Sequence, residues 1–438
     1  MEQKHIAPLT QGLKGRLRIP GDKSVSHRSV MFSALGTTPV RITNFLHAAD
    51  CLSTVACMRA LGADVEIVSA TELIVTGHGL HGLTEPAAIL DAGNSGTTLR
   101  LLMGLLAPQP FNAVFTGDAS LSKRPMGRVI KPLSQMGAKI VGRRGNTLLP
   151  ITVCDPGAKL HGFTYESPVA SAQVKSALLL AGMFADGSTT VVEPVTSRDH
   201  TEKMLAAFGV ETEKQGTAVT IHPVADTEYI APVAIEVPGD ISSAAYWLVL
   251  ASLVPGSQLT LENVGTNETR TGILDVLAAM GANIQRTNVR TSGGEEACDL
   301  VITAAKLHGT NFGKDMMPRL IDEIPAIAVA ALFAEGDTVI TGAGELRVKE
   351  TDRLQAIADE WNKLAPGSVE AGEDSLVIHG GMPVQCATVA SYDDHRMAMS
   401  LACLGAAGKG VIIDRPDCVN ISYPEFYQTL QSFQEHLG

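Results

Sequence analysis

Two stretches of the sequence, IPGDKS at residues 19–24 and VPGDIS at residues 237–242, match at four of six positions. Their glycines, Gly21 and Gly239, are 218 residues apart, which is about half of the 438-residue chain. Self-similarity at a fixed spacing is the signature of a duplicated structural unit. The sequence therefore predicts two halves of similar architecture, each beginning at one of these stretches.

A shorter repeat divides each half into three. Six times a predicted helix ends in Leu-x-Gly or a close variant and leads into a strand, and glycine is the usual residue just past a last helical turn. These glycines, 71–86 residues apart, are Gly62, Gly137, Gly209, Gly281, Gly367 and Gly438. Between them lie β-branched segments, which favour strands, at residues 40–43, 113–117, 189–194, 258–263, 338–343 and 410–414. The pattern predicts an α/β fold of six repeats of about 73 residues.

The two periodicities together predict the domain boundaries. We expect one three-repeat domain at residues 21–238 and a second made of residues 1–20 plus 239–438. The chain then crosses twice between domains, near 20–21 and 238–239, which predicts a hinge with the ligand cleft between the domains. The sixth repeat lacks its last strands, and residues 12–19 are expected to supply them.

Composition excludes several classes of protein. Apolar residues make up 45% of the chain and charged residues 18%, which is too apolar for a disordered chain. The net charge of −12 and the aromatic content of 4% disfavour nucleic-acid binding. No apolar run approaches the length of a membrane span, and the N-terminus has no signal-peptide pattern. Seven scattered cysteines without a CxxC pair predict buried free thiols, so we expect a cytoplasmic protein.

Two glycine-rich motifs and one candidate metal site lack the surrounding residues that their functions require. GHGLHG at residues 77–82 is not followed by a helical pattern, and GAAGKG at residues 405–410 lacks the Ser or Thr of a phosphate-binding loop. Asp393, Asp394 and His395 have no partner cluster at ligand spacing, so no metal site is expected.

Seven short segments place charged residues beside small hydrogen-bonding residues, six of them near predicted helix starts. They are residues 21–28, 93–100, 120–128, 171–177, 321–323, 347–353 and 393–399. Taken singly, such residues are solvated surface charges or helix caps. Helix N-termini also attract anions, and an acidic protein that binds an anion has to concentrate positive charge locally. Together the segments predict an anion-binding site.

The segments GDKSVSHR, GNSGTTLRL, KRPMGR, SAQVKSALLLAG, LRVKETDRL and DHRMAM closely resemble the 5-enolpyruvylshikimate-3-phosphate synthase family, in that family's order. The SAQVKSA and SRDHTE forms are similar to the bacterial branch called class II. The resemblance implies an inside-out α/β barrel of two domains, each made of three βαβαββ units. It also implies transfer of the enolpyruvyl group of phosphoenolpyruvate to the 5-hydroxyl of shikimate 3-phosphate. This shikimate-pathway reaction, an addition–elimination through a tetrahedral intermediate, releases phosphate and needs no cofactor.

The resemblance also assigns site residues. The catalytic candidates are Asp322, Glu350, Lys23 and Lys349. The shikimate 3-phosphate contacts are expected to be Lys23, Ser24, Arg28, Ser171, Ala172, Gln173, Arg198, Asp322 and Lys349. The phosphoenolpyruvate contacts are expected to be Lys23, Gly96, Arg124, Gln173, Arg353 and Arg396. Asn94 and His395 are expected to lie beside these contacts.

Charge arithmetic agrees with these assignments. The two substrates carry about −5 to −6, counting −1.5 to −2 for each phosphate. The assigned residues include seven cations and two carboxylates, a total of +5. The expected partners are these two small molecules, with no nucleic acid and no membrane, and the protein is expected to be a monomer.

Two alternatives remain open at this point. The UDP-N-acetylglucosamine enolpyruvyl transferases share the fold, but they carry a reactive cysteine in the loop that is ASLSKRP here, at residues 119–125. A non-catalytic anion-binding protein on the same scaffold is the other alternative. The presence of Lys23, Asp322, Lys349 and Glu350 argues against it.

Overall fold

A computed structural model describes residues 3–435 of the chain. Residues 1–2 and 436–438, which include Gly438, lie outside the described residues. Two structural units divide the described chain. One consists of residues 21–238 with 291–295, and the other of residues 3–20, 239–290 and 296–435. We call them the first and the second unit.

The strands are short and spread evenly along the chain. They are β1 Gln3–Ile6, β2 Lys14–Arg18, β3 Val40–Thr43, β4 Asp64–Ser69, β5 Glu72–Thr76, β6 Leu90–Asp91, β7 Ala113–Thr116, β8 Lys139–Gly142, β9 Leu148–Cys154, β10 Thr164–Glu166, β11 Thr189–Val192, β12 Thr212–Gln215, β13 Ala218–Ile221, β14 Ala234–Glu236, β15 Gln258–Gly265, β16 Asn283–Ser292, β17 Glu295–Thr303, β18 Asn311–Phe312, β19 Asp337–Ile340, β20 Val369–Ala371, β21 Leu376–His379, β22 Thr388–Ala390 and β23 Val411–Asp414. Each of the six β-branched segments therefore contains a strand, as predicted.

The α-helices alternate with these strands. They are α1 Lys23–Ser33, α2 Ala49–Ala60, α3 Gly96–Leu106, α4 Gly127–Gln135, α5 Arg143–Asn146, α6 Ala172–Gly182, α7 His200–Ala207, α8 Ile241–Leu253, α9 Gly272–Ala279, α10 Met317–Leu320, α11 Ile324–Phe333, α12 Arg353–Leu364, α13 His395–Ala407 and α14 Phe426–Glu435. Short 3₁₀ turns occur at Leu121–Lys123, Ile321–Glu323, Gly344–Val348 and Pro416–Ile421.

The repeat glycines end helices, as predicted. Those at positions 62, 137, 209, 281 and 367 follow α2, α4, α7, α9 and α12, and each has a positive φ of 79–101°. Only glycine adopts this conformation without a steric cost, and the turn then leads into the next strand.

The first unit contains three four-stranded sheets of one topology. Their strand orders are β14-β3-β5-β4, β6-β7-β9-β8 and β10-β11-β13-β12. In each sheet the first two strands are parallel and the remaining pairs are antiparallel. The second unit repeats this arrangement in β2-β15-β17-β16 and β18-β19-β21-β20, and its third sheet has the order β22-β23-β1.

The expectation that residues 12–19 complete the sixth repeat is wrong. Strand β2 pairs in parallel with β15 of the fourth repeat, where Lys14 lies opposite Gln258. The sixth sheet is completed by β1, whose Gln3 lies opposite Asp414 in an antiparallel pair. The duplication explains the difference, because β2 precedes its Pro-Gly-Asp as β14 does, and β14 is likewise the parallel edge strand beside β3.

The Pro-Gly-Asp stretches have the same role in both units. In the first unit the Asp22 carboxylate accepts a hydrogen bond from the Val25 N–H and caps α1. In the second unit Asp240 caps α8 by accepting from the Ser242 N–H. An aspartate cap satisfies a free N–H group at a helix start.

Buried helices fill the centre of each unit, and the sheets lie outside them. Helices α1, α3 and α6 are almost entirely buried in the first unit, as are α8, α11 and α13 in the second. The sheet strands alternate between buried and partly exposed residues, so one face packs on the helices. Of the seven free cysteines, four are buried, but Cys386 is exposed, which corrects the expectation that all are buried.

The contact between α3 and α6 depends on the absence of a side chain at Gly104. A Cβ atom there would lie 2.2 Å from the Ala177 carbonyl oxygen. We expect Gly104→Ala to lower the free energy of unfolding by about 3 kcal/mol, because two packed helices would have to separate. Gly187→Ala is the control, since a Cβ atom added at Gly187 would have open space for 4 Å around it. Equal unfolding midpoints in a urea titration of the two variants would contradict this account.

Candidate active site

The first group of predicted site residues begins helix α1. Lys23 is the first residue of the helix, and its Nζ lies 3.1 Å from Asp50 Oδ2. One turn later the Arg28 side chain folds back, so that its Nη1 donates to the carbonyl oxygen of Ser24 at 3.0 Å. The three predicted residues of this segment therefore lie at one helix start.

Arg28 is buried among hydroxyl groups. Its Nε donates to Thr201 Oγ1 at 2.8 Å, and its Nη2 donates to Ser176 Oγ at 2.9 Å. Burial lowers the pKa of Arg28 to about 10, although the charge of Glu202 opposes the shift. Arg198 is close enough for its charge to contribute to this lowering. Arg28 is still cationic at neutral pH.

The second group lies at the start of helix α3. Ser95 caps the helix by accepting from the Thr98 N–H at 3.1 Å, and Gly96 is its first residue. Asn94 accepts a hydrogen bond from Arg124 Nη2 at 3.0 Å, so these two predicted residues are neighbours. Its own amide donates to Asp118 at 2.6 Å.

The third group lies at the start of helix α6 and is joined to the second. Ser171 is the cap of α6, followed by Ala172 and Gln173. The Gln173 Oε1 accepts from Arg100 Nη1 at 2.6 Å, and its Nε2 donates to Thr97 Oγ1 at 3.0 Å. The starts of α3 and α6 are thereby linked through side chains.

Arg100 is the charged residue of segment 93–100, but the sequence assigned no substrate contact to it. Burial lowers its pKa to about 10, and repulsion from Arg128 and Arg124 adds to the shift. A Cβ atom at Gly96 would lie 2.7 Å from Arg100 Nη1, so the glycine makes room for this cation. The available signal was its position four residues after Gly96, on the same face of a helix that begins with glycine.

The second unit holds the remaining candidates around one buried cation. Arg353 Nε donates to Asp394 Oδ2 at 2.7 Å, and its Nη2 donates to Glu350 Oε2 at 2.6 Å. Its Nη1 lies 3.5 Å from Asp322 Oδ1. The Arg353 side chain is 1% exposed and that of Asp394 is fully buried.

Asp322 lies within reach of three cations. Besides Arg353, the Nζ of Lys349 is 3.7 Å from its Oδ1, and Nη2 of Arg396 is 4.0 Å from its Oδ2. Burial alone would lower the pKa of Arg396, but Asp322 and Glu323 outweigh it and raise the pKa. Arg396 is therefore a permanent cation.

His395 and Arg396 open helix α13. Asp394 caps this helix by accepting from the N–H groups of Arg396, at 2.9 Å, and Met397. His395 is buried, and its place beside the substrate contacts stays a prediction.

The structure thus gathers the sixteen predicted residues into two clusters, one in each unit. The first-unit cluster contains Lys23, Ser24, Arg28, Asn94, Gly96, Arg124, Ser171, Ala172, Gln173 and Arg198. The second-unit cluster contains Asp322, Lys349, Glu350, Arg353, His395 and Arg396. The sequence-based total of +5 omitted Asp50 and Asp394, each of which contacts a site cation, so part of the positive charge is already compensated.

Residues 3–435 contain neither a membrane-spanning helix nor a metal cluster. No helix in that range is long and apolar enough to cross a membrane. Within the same range, no group of three or more His, Cys, Asp or Glu side chains is arranged to hold a metal ion.

Comparison with known proteins gives near full-length matches. A family model described as EPSP synthase (3-phosphoshikimate 1-carboxyvinyltransferase) matches residues 9–430. A 3-phosphoshikimate 1-carboxyvinyltransferase of Desulforamulus reducens is 50% identical over 420 residues, covering 96% of both chains. One of Bacillus thuringiensis (strain Al Hakam) is 48% identical over 432 residues, covering 98% of this chain and 99% of the other.

Solved structures agree with the sequence matches. The structure of EPSP synthase from Acinetobacter baumannii has a TM-score of 0.90 and 42% identity, covering 99% of this chain and 98% of that chain. The enolpyruvyl transferase NikO from Streptomyces tendae shares the fold, with a TM-score of 0.78 at 19% identity, covering 99% of this chain and 97% of that one. The predicted α/β fold class and the predicted resemblance are both confirmed.

Proposed function

The chain belongs to the EPSP synthase (3-phosphoshikimate 1-carboxyvinyltransferase) family, and from this premise we propose how its two clusters carry out the family's reaction. The enzyme transfers the enolpyruvyl group of phosphoenolpyruvate to the 5-hydroxyl of shikimate 3-phosphate and releases phosphate. This reaction belongs to the shikimate pathway and so to aromatic amino-acid biosynthesis. Family membership therefore favours this reaction over transfer to UDP-N-acetylglucosamine and over a non-catalytic role.

The phosphate and ring of shikimate 3-phosphate are assigned to one set of residues. They are Lys23, Ser24, Arg28, Ser171, Ala172, Gln173, Arg198, Asp322 and Lys349. This proposal rests on one observation. The residues of this set that belong to the first unit lie at the starts of the buried helices α1 and α6 or beside them. Free N–H groups and the helix dipole favour a phosphate at such ends.

Phosphoenolpyruvate is assigned to Lys23, Gly96, Arg124, Gln173, Arg353 and Arg396. Three of these are arginines, whose planar fork suits carboxylate and phosphate oxygens. Gly96 is the first residue of α3, and the free N–H groups of a helix start favour an anion.

The chemistry requires a base and an acid. In the addition, the 5-hydroxyl oxygen bonds to C2 of phosphoenolpyruvate, the hydroxyl proton leaves, and C3 gains a proton. In the elimination, C3 loses a proton and the C2–O bond to phosphate breaks. We assign Asp322 as acceptor of the hydroxyl proton, with Lys349 beside it, and Glu350 and Lys23 as candidates for proton transfer at C3. The 3.7 Å separation of Lys349 Nζ and Asp322 Oδ1 supports pairing the first two.

A phosphate-release assay tests the function. The purified chain is expected to release phosphate from phosphoenolpyruvate only when shikimate 3-phosphate is present. Activity with UDP-N-acetylglucosamine and none with shikimate 3-phosphate would contradict the assignment. Calorimetry that shows binding of the two substrates, together with no phosphate release from their mixture, would mean that the chain only binds anions.

Arg124 is expected to act on one substrate more than on the other. It is held by Asn94 in the first unit and is assigned to phosphoenolpyruvate. Arg124→Ala should raise the KM for phosphoenolpyruvate at least about tenfold, since a charge-assisted hydrogen bond is lost, and shift the Kd of shikimate 3-phosphate by less than about threefold. Steady-state kinetics and calorimetry measure the two quantities. Arg144→Ala, which changes an exposed arginine, is the control, and equal shifts for both substrates in R124A would remove Arg124 from its assigned place.

A cytoplasmic location and a monomeric state complete the proposal. The seven free cysteines support the location, because thiols persist in a reducing compartment. Sedimentation equilibrium at several protein concentrations measures the oligomeric state.

A further inference from the structure

A buried carboxylate holds two segments of the predicted shikimate 3-phosphate site in place. Glu193 follows strand β11 and is 3% exposed. Its Oε1 accepts a hydrogen bond from the N–H of Ser171 at 2.9 Å. Its Oε2 accepts from the N–H and the Oγ of Ser197, at 3.2 and 2.7 Å. One side chain therefore joins the segment before α6 to the segment that contains Arg198.

The contact with Ser171 determines which N–H groups remain available at the start of α6. The first four N–H groups of a helix have no partner within the helix. Here Glu193 takes the N–H of Ser171, and the Ser171 hydroxyl lies 3.5 Å from the N–H of Val174. Among the described residues, the N–H groups of Ala172 and Gln173 have no hydrogen-bond acceptor. These two N–H groups are the ones a phosphate would take.

A buried ion cluster keeps Glu193 in this position. Lys175 is 1% exposed, and its Nζ lies 3.2 Å from Glu193 Oε2 and 2.7 Å from Glu202 Oε1. Burial alone would lower the pKa of Lys175, but Glu202 and Glu193 raise it, so the lysine is a cation. A buried carboxylate without a cation partner would be costly, and Lys175 supplies that partner.

We propose that Glu193 is a positioning residue for the phosphate of shikimate 3-phosphate, acting through Ser171 and Ser197 and touching no substrate itself. The proposal rests on the proposed function for the identity of the ligand. Glu193 aligns the free N–H groups of the α6 start with the Ser197–Arg198 segment, so that one phosphate meets both.

Glu193→Gln tests the proposal at almost unchanged volume. The three donors on the Oε2 side outnumber the one on the Oε1 side, so the amide oxygen is expected to face Ser197 and Lys175. The amide NH₂ group then faces the N–H of Ser171, and two donors repel. We expect the Kd of shikimate 3-phosphate, measured by calorimetry, to rise about tenfold. The KM for phosphoenolpyruvate at saturating shikimate 3-phosphate should change less than about threefold.

Glu202→Gln is the matched control. Like E193Q, it removes one negative charge beside Lys175, but it keeps the contacts of Glu193 with Ser171 and Ser197. It should leave the Kd of shikimate 3-phosphate within about threefold of wild type. Ser197→Ala is a milder second variant that removes one hydrogen bond and should raise this Kd about threefold. Hydrogen exchange should speed up at Ser171 in E193Q and stay unchanged there in E202Q.

Four results would overturn the proposal. The first is an equal rise of the Kd in E193Q and E202Q, and the second is a parallel rise for both substrates in E193Q. Both would mean that the carboxylate acts only through general stability. The third is a wild-type chain that does not bind shikimate 3-phosphate. The third result would contradict the proposed function too. The fourth is an E193Q variant without effect in a chain whose wild type binds shikimate 3-phosphate, and it would contradict only the role of Glu193.

Discussion

Asp322→Asn is expected to lower kcat by about three orders of magnitude, the range of a lost general base. The substrates should bind at least as tightly as in the wild type. Asp322 lies near Lys349, Arg353 and Arg396, so removing its negative charge leaves three cations freer to hold anions. Rapid-quench turnover measures the rate of the chemical step, and calorimetry measures the binding of shikimate 3-phosphate.

The control is Glu345→Gln, because Glu345 is the other carboxylate partner of Lys349, at 3.3 Å, and its side chain is mostly exposed. This variant should keep kcat within about twofold. A D322N enzyme that retains a tenth or more of the wild-type kcat would remove Asp322 from the proton transfer. Equal losses of kcat in D322N and E345Q would mean that the orientation of Lys349 limits the rate, and that Asp322 is not the base.

Arg353→Met is expected to lower the free energy of unfolding by about 3–5 kcal/mol, since it leaves a buried carboxylate uncompensated. Asp394 is fully buried and receives two hydrogen bonds from the Arg353 guanidinium. The transition temperature in calorimetry should fall by on the order of 10 °C. Activity should fall too, because Arg353 is assigned to phosphoenolpyruvate.

The double variant Arg353→Met/Asp394→Asn separates the two effects. Asparagine caps a helix as well as aspartate, so α13 keeps its N-terminal cap while the unpaired charge disappears. The double variant should recover most of the lost stability and none of the lost kcat/KM for phosphoenolpyruvate. If the losses of unfolding free energy in the single variants R353M and D394N simply add up to the loss in the double variant, the broken ion pair is not the source of the destabilisation.

Local signals in the sequence account for what was predicted correctly about the fold. A glycine such as Gly281 ends its helix with positive φ whatever the tertiary context, and a segment such as residues 189–194 favours a strand by its β-branched residues. The partners of edge strands carry no such local signal. The pairings of Gln3 with Asp414 and of Lys14 with Gln258 join strands that are far apart in the sequence, so only the folded chain brings them together.

The candidate site shows the same division. Motifs at helix starts were visible in the sequence because cations and small residues stand together, as at Lys23. The contacts that hold these residues were not visible. Asp50 beside Lys23 and the Glu193 link between Ser171 and Ser197 each join residues from different segments, which only the folded backbone brings together.

The placement of β1 and β2 has a consequence for synthesis on the ribosome. The first unit has all the strands of its three sheets once β14 has emerged, but it also includes residues 291–295, which are made later. Strands β1 and β2 emerge before the strands with which they pair, so β2 stays unpaired until β15 is made and β1 until β23 is made. A truncation that removes β1 and β2 therefore disturbs two sheets of the second unit, whose other strands lie after residue 257.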